Sequence, residues 1–278
     1  MSFPVHASGI GSEVNIVFPA SYVQVNIFAA LLCILVPILF LWYYKKKTGV
    51  KIGAFFIGAA FFMLFSFILS YVLNILVISV FGLGNFLNTN THPIYSSIYV
   101  SCSMGFITTL GVYVGLKYAM KQRPGKENAL VFGVGVGGLE SILNGTTIYV
   151  TNLISAVLIN SIGSVEYFKK LELTGEELAK SQELFATQAA TPASAFLLDA
   201  SYLILSLVLS VSITVLIHRA LDKHESYLFP VCAVLQCLGY VPMYLTQTKV
   251  LENSYLLFGI ASVYIFVVAY FAYRAYTV

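Results

Sequence analysis

Glu140 is the side chain of this sequence that is best placed to do chemistry. It is the single ionisable residue in a glycine-rich apolar run from Phe132 to Gly145. A carboxyl group at membrane depth is costly, and it persists where it faces a protein interior or a wet cavity. Such a group could act as a general base or bind a ligand, and it could equally hold helices together through hydrogen bonds. Glu140 is therefore the first catalytic candidate, with a structural role as the alternative.

The same run carries two stripes of residues at helical spacing. The first stripe consists of small residues that would let a neighbouring helix approach closely. Its members are Gly133, Gly137, Ser141 and Gly145. The second stripe runs beside it from Val136 through Glu140 to Asn144 and Thr147, so that a carboxylate, an amide and a hydroxyl stack along one helix. This pattern is typical of a polar cavity wall, and Asn144 and Thr147 are candidate binding residues.

Asp199 is the second carboxylate within an apolar segment. If its span lies next to the span of Glu140, the two carboxyl groups could share a proton or a cavity. A carboxylate pair can hydrolyse peptide bonds in principle. A hydrogen bond between packed helices is the simpler role for Asp199. Tyr202, Tyr240 and Tyr244 also lie deep in apolar runs, where they could line a groove or pack in the core.

No metal or cofactor is predicted. Metal ligation needs several His, Cys, Asp or Glu side chains that converge. The histidines fall in tails, loops or span ends, and the cysteines lie in apolar runs without metal-binding spacing. These residues are His6, His92, His218, His224, Cys33, Cys102, Cys232 and Cys237.

The composition predicts the elements that must position these groups. Of the 278 residues 59% are hydrophobic and 10% are charged, whereas a soluble domain carries about 25% charged residues. A transmembrane helix needs about 20 mostly apolar residues, and seven runs meet that length. They are predicted at about Val23–Tyr44, Ile52–Phe81, Ile94–Met120, Asn128 to Tyr149 or Ile162, Ala193–Leu216, Tyr227–Leu245 and Tyr255–Tyr273. The fold class is an all-α, polytopic transmembrane helical bundle in a single domain, 1–278.

Charge predicts the orientation of this bundle. With the N-terminus outside and the C-terminus cytoplasmic, most of the fifteen Lys and Arg residues lie on the cytoplasmic side. Only Lys169, Lys170, Lys180 and Lys249 lie outside. Segment 166–191 becomes an external amphipathic loop, in which Leu171, Leu178 and Phe185 repeat every seven residues and Leu184 broadens the stripe. Thr174 and Glu177 have the spacing of a helix-capping box.

The glycine run resembles that of the YhfC-type intramembrane proteases, which are relatives of the CAAX-protease and bacteriocin-processing superfamily. Those proteins carry Gly-x-Gly-His-Gly-Gly-x-Glu, and this chain reads Gly-Val-Gly-Val-Gly-Gly-Leu-Glu from Gly133 to Glu140. They precede it with a helix containing Gly-x-Phe-Glu-Glu-x-x-Arg-Tyr. The corresponding helix here runs from Gly105 to Tyr113 and is followed by basic residues. The resemblance covers most of the chain and implies an intramembrane endopeptidase fold.

This chain departs from the family pattern at the positions where the resemblance implies the residues of the active site. Its Glu-Glu pair falls on Thr108 and Thr109, and its arginine on Val112. Its glycine-run histidine falls on Val136. Two later histidines would fall near Tyr202 and Gln236, which makes these polar residues candidate binding residues together with the two threonines. Of the implied site, Glu140 alone is kept.

Three functions follow as expectations. The first is a catalytically degenerate, protease-like membrane protein, and so not an enzyme, that binds, chaperones or regulates a membrane protein or hydrophobic peptide. The second is an active glutamic-type or metallo-protease with a site rebuilt from Glu140 and Asp199. The third is a transporter, or a membrane subunit of a transport complex, with a wet path past Glu140. All three place the chain in the lipid bilayer of the bacterial cytoplasmic membrane, without a nucleic-acid partner.

Overall fold

Helices make up nearly all of the structure, a computed structural model that describes residues 15–89, 91–123, 125–248, 250 and 253–277. The predictions made for His6 and Lys249 concern residues outside this described part. The helices are α1 (Ala20–Thr48), α2 (Gly53–Val80), α3 (Pro93–Ala119), α4 (Lys126–Ile162), α5 (Ser164–Lys170), α6 (Gly175–Ala190), α7 (Ala193–Asp222), α8 (Leu228–Gln247) and α9 (Ser254–Thr277).

Seven of these helices are long and apolar enough to cross a membrane: α1, α2, α3, α4, α7, α8 and α9. The predicted all-α, polytopic fold with about seven spans is therefore confirmed, and the chain is a multi-pass membrane protein. The predicted orientation of the termini stays a prediction. The single-domain organisation also stays a prediction. By its internal contacts the chain divides into two compact units, which are described separately.

Two spans contain π-helical stretches that the sequence did not predict. In α2, π-helical residues occupy Phe62–Leu69 and Leu76–Val80. In α4, the α-helix gives way to π-helix at Thr146–Val150 and then resumes, so segment 150–162 continues α4 rather than forming a span of its own. A π turn has more than four residues, so side chains beyond Gly145 do not continue the stripes drawn at α-helical spacing.

The first unit comprises residues 1–30 and 147–197. Its described part holds an aromatic cluster in which the Phe185 ring lies 5.7 Å from Phe168 and 6.3 Å from Phe18. The Asn160 side-chain amide holds the backbone of Phe18 on both sides, accepting from its N–H at 2.9 Å and donating to its carbonyl at 2.8 Å. These bonds fix the segment that leads into α1.

Segment 166–191 is helical, and two short helices, α5 and α6, cover most of it. Gly163, at φ +83°, makes the turn that separates α4 from α5. Thr174 stands at the N-terminus of α6 as predicted, but its side chain makes no capping hydrogen bond, so the predicted capping box is wrong. Phe185 packs in the aromatic cluster, whereas Leu171 and Leu184 are exposed. The external position of this segment stays a prediction.

The second unit comprises residues 31–146 and 198–278, and α4 is its central helix. Glycines on different faces of α4 let different helices pack against its backbone. A Cβ at Gly135 would meet the Phe55 carbonyl of α2, and one at Gly137 would come within 2.8 Å of Leu207 Cα of α7. Gly145 lies against Cys33 of α1. Gly137 and Gly145 of the predicted stripe thus allow close approach of α7 and α1, and Gly135, outside the stripe, does the same for α2.

Helices α3 and α8 pack antiparallel along their length in the second unit. Gly105 makes this possible, since a Cβ there would lie 2.6 Å from Cys237 Cα. At one end of the pair Ser97 shares a hydrogen bond of 2.9 Å with Thr248, and at the other the Tyr113 and Phe229 rings are 5.0 Å apart. This contact holds the buried face of α8 in a fixed register within the unit.

Candidate functional site

Glu140 lies in the interior of the second unit with 2% of its surface exposed. The hydroxyl of Tyr240 in α8 donates toward both of its carboxylate oxygens, at 3.0 Å to Oε1 and 3.1 Å to Oε2. Tyr240 is equally buried. Close packing of Gly239 against Leu209 brings α8 onto α7 beside this pair. The carboxyl group of Glu140 is therefore held between helices rather than open to lipid.

Three further polar side chains surround this pair. Ser206 of α7 is an electrostatic neighbour of both Glu140 and Tyr240, and Gln236 is a neighbour of Tyr240 one turn away on α8. Ser210 lies one turn beyond Ser206 along α7. All three are at least 96% buried, yet neither serine hydroxyl and neither amide atom of Gln236 has a partner with hydrogen-bonding geometry.

These polar atoms could donate hydrogen bonds to a ligand or accept them from it. Most buried polar atoms in proteins have a hydrogen-bond partner, because leaving one without costs about 1–3 kcal/mol. Here four such atoms lie around one buried carboxyl group. A group that brought both donors and acceptors could satisfy them together.

The two threonines that the resemblance places at the family's Glu-Glu pair are buried and already bonded. Thr108 shares a 2.9 Å hydrogen bond with Ser66 of α2. Thr109 donates to the carbonyl of Gly105 one turn earlier, at 2.8 Å. Val112 and Val136, at the positions of the family's arginine and histidine, lie in the same apolar core cluster. Side chains that pack or bond within the protein thus fill all four positions.

Tyr202 belongs to a different part of the second unit. Its hydroxyl shares a 3.3 Å hydrogen bond with Thr246, and its ring lies edge-on to Phe258 at 5.2 Å. It packs in a smaller apolar cluster with Met243 and Ala261. Its role as a binding residue stays a prediction that this geometry does not strengthen, whereas Gln236 lies beside the Glu140–Tyr240 pair.

The remaining predicted residues lie away from the pair. Asp199 is exposed on α7, seven residues before Ser206, which is about 10 Å along the helix. No hydrogen bond between the described side chains connects Asp199 with Glu140. Asn144 is half-buried one turn after Glu140, and Thr147 is exposed in the π-helical stretch. A catalytic Glu140–Asp199 pair stays a prediction, and it would need a rearrangement of α7.

Sequence reasoning missed the part played by Tyr240. It placed this residue in a groove or the core, without a partner. A signal was present in α8, where Gln236, Tyr240 and Tyr244 recur every four residues in an otherwise apolar segment. What no local pattern supplies is the residue that such a stripe faces, because Glu140 is 100 residues away along the chain.

Comparison with known proteins supplies the family. The family described as "YhfC intramembrane metalloprotease" matches residues 32–261. The chain belongs to the YhfC family. It is also similar to the "Uncharacterized membrane protein YhfC" of Bacillus subtilis (strain 168), with 26% identity over 220 residues, which is 79% of this chain and 83% of the relative. No solved structure matches the chain.

The family description implies a metal, and the side chains in the described part of this YhfC protein do not fit one. In the described part of the chain no three His, Cys, Asp or Glu side chains come together as a possible ligand set. His92 stands at the start of α3, and His218 and His224 stand at or beyond the end of α7. Glu140 meets a tyrosine hydroxyl instead of a histidine. No catalytic step through a metal follows from this arrangement.

Proposed function

We propose that this YhfC family member is catalytically degenerate and binds a hydrophobic peptide or a membrane protein at the site around Glu140. The observation that carries the proposal is the Tyr240 hydroxyl, which donates toward both oxygens of the buried Glu140 carboxylate. The proposal also rests on the threonines and valines that stand where the resemblance implies charged and catalytic groups.

Peptide hydrolysis needs more than a carboxylate. A general base must be within reach of the water that it activates, and the developing negative charge needs a metal or an oxyanion stabiliser. Glu140 is the base candidate, and the single O–H of Tyr240 donates toward its two carboxylate oxygens. Thr108 and Thr109 are bonded to Ser66 and Gly105. These bonds engage the two threonine hydroxyls within the protein, which supports a site without a second catalytic group at their positions.

Binding makes fewer demands on the same residues. The amide of Gln236 offers two donors and an acceptor, and the hydroxyls of Ser206 and Ser210 offer both. These groups match the N–H and C=O groups of an extended peptide backbone, which must be hydrogen-bonded at membrane depth. A hydrophobic segment that unwinds locally would satisfy them, and its apolar side chains would face the surrounding core.

In-membrane cross-linking followed by affinity purification and mass spectrometry tests this proposal. Wild type and Glu140→Gln should capture the same partner at full length, because the amide is isosteric and the partner is not cut. Gln236→Leu should capture less of it, since the amide is lost. Gly259→Ala, which changes an exposed face of α9, serves as the control and should capture the wild-type amount.

The second candidate is an active intramembrane protease, and the retention of a buried Glu140 in a family described as metalloproteases favours it. In that case wild type would leave a shortened partner, and Glu140→Gln would trap the full-length one. A site rebuilt with Asp199 would additionally require that Asp199→Asn abolish the shortening while the protein stays folded. Either result would refute the proposal that this protein is catalytically degenerate.

A further inference from the structure

A groove of about 550 Å³ lies among α7, α8 and α9, far along the chain from Glu140. Most of its wall is apolar, with Val231, Leu235 and Val267 among the lining residues. Arg219 and Arg274 line the groove near the C-terminal ends of α7 and α9, and Glu225 lies before the start of α8. The groove therefore combines a long apolar wall with charge at one end.

The charged end of the groove has an excess of positive charge. Arg219 also lines an adjoining cavity of about 180 Å³ together with Lys126, Lys223 and Asp222. The two spaces together are lined by four Lys and Arg side chains and by two carboxylates, those of Asp222 and Glu225. None of these carboxylates forms a salt bridge with Arg219 or Arg274 in the described structure. Arg274 reaches only the hydroxyl of Tyr270, at 3.4 Å.

We propose that this groove binds one anionic phospholipid. Its acyl chains lie along the apolar wall, and its phosphate is held by Arg219 and Arg274. Guanidinium groups pair with phosphate through two parallel N–H donors, and basic pockets between transmembrane helices bind anionic headgroups. A zwitterionic lipid would fill the wall equally well but would bring a cation to the same end. The site stands independently of the function proposed for Glu140.

Native mass spectrometry of the delipidated protein tests the proposal, with phosphatidylglycerol, phosphatidylcholine and glycerol 3-phosphate as probes. Wild type should retain phosphatidylglycerol in preference to phosphatidylcholine. The pair Arg219→Gln and Arg274→Gln should lose most of that preference, at about fivefold per arginine. Val231→Trp, which fills the exposed groove and keeps both arginines, should lose phosphatidylglycerol as well.

The matched control is the pair Lys46→Gln and Lys47→Gln, which removes two charges at the end of α1, where these lysines lie over the Trp42 and Tyr43 rings. This variant should keep the wild-type preference. Equal retention of the two lipids by wild type would overturn the proposal. The proposal would also be overturned if the preference for phosphatidylglycerol survived in both groove variants, or if the α1 control variant lost it. Displacement of the lipid by glycerol 3-phosphate at equal concentration would show a soluble-anion site instead.

Discussion

At the scale of single residues, the Glu140–Tyr240 pair explains how a carboxyl group persists inside an apolar bundle. Both side chains are about 98% buried, and each supplies the hydrogen bond that the other would otherwise lack. Breaking one partner of a buried polar pair costs more than replacing both, since the remaining group stays buried without its bond. The pair is therefore a stability element whether or not it also contacts a ligand.

Tyr240→Phe should lower the free energy of unfolding by about 1–3 kcal/mol, because it leaves the Glu140 carboxyl without its donor. Combining it with Glu140→Met should cost less than the sum of the two single changes. Thermal unfolding of the purified protein in detergent measures both. Tyr273→Phe, on an exposed tyrosine, is the control. Additive losses in the double variant would mean that the two side chains do not depend on each other.

At the scale of helices, the glycines of α4 act as packing contacts. Lipid chains are as apolar as leucine side chains, so transmembrane helices associate through close backbone approach rather than through exclusion of water. Gly135 faces α2, Gly137 faces α7 and Gly145 faces α1, so α4 can contact three helices at once. This arrangement holds Glu140 in place and gives the glycine run a packing role.

Gly135→Ala should destabilise the protein by about 1–3 kcal/mol, because its Cβ would overlap the backbone carbonyl of Phe55. Gly259→Ala is the matched control, since its Cβ would meet nothing within 4 Å, and it should be neutral or stabilising. Unfolding of the two variants side by side in detergent gives the comparison. If the two alanines had equal effects, close packing at Gly135 would not matter to stability.

The existence of the helices was predictable, and several of their details were not. A span needs about 20 apolar residues in a row, so the seven spans can be read from local composition. The small-residue spacing predicted close packing, but the choice of α1, α2 and α7 as partners depends on the tertiary arrangement. The π-helical stretches and the missing Thr174 cap also depend on neighbouring segments, which compete with local preference.

At the scale of the whole molecule, the chain belongs to the YhfC family, and the proposed loss of catalysis rests on the resemblance, which implies that Glu140 is kept while the groups around it differ. Sequence comparison identified Glu140 and Gln236 as residues of interest, and both lie in one buried polar cluster. It could not pair Tyr240 with Glu140, because the two residues are 100 positions apart and no local pattern links them. The Glu140–Asp199 pair shows the opposite difficulty. Chemistry alone suggests that two intramembrane carboxylates act together, but it does not show that they lie close to each other in the fold.

The charge distribution predicts how the protein sits in the membrane. Single cysteines placed at Glu183 of α6 and at Lys223 after α7, in a background without the native cysteines, should label on opposite sides. Glu183→Cys should react with an impermeant reagent added to intact cells, and Lys223→Cys should react only after the membrane is opened. Labelling of both positions from outside would contradict the predicted orientation.

The central claim is that Glu140 supports binding without cleavage. The most direct measurement is the position of the partner's termini, read by mass spectrometry from material cross-linked to wild type and to Glu140→Gln in native membranes. The account predicts identical full-length termini in both. A new terminus within a membrane segment that appears with wild type and disappears with Glu140→Gln would show that the protein is a working protease.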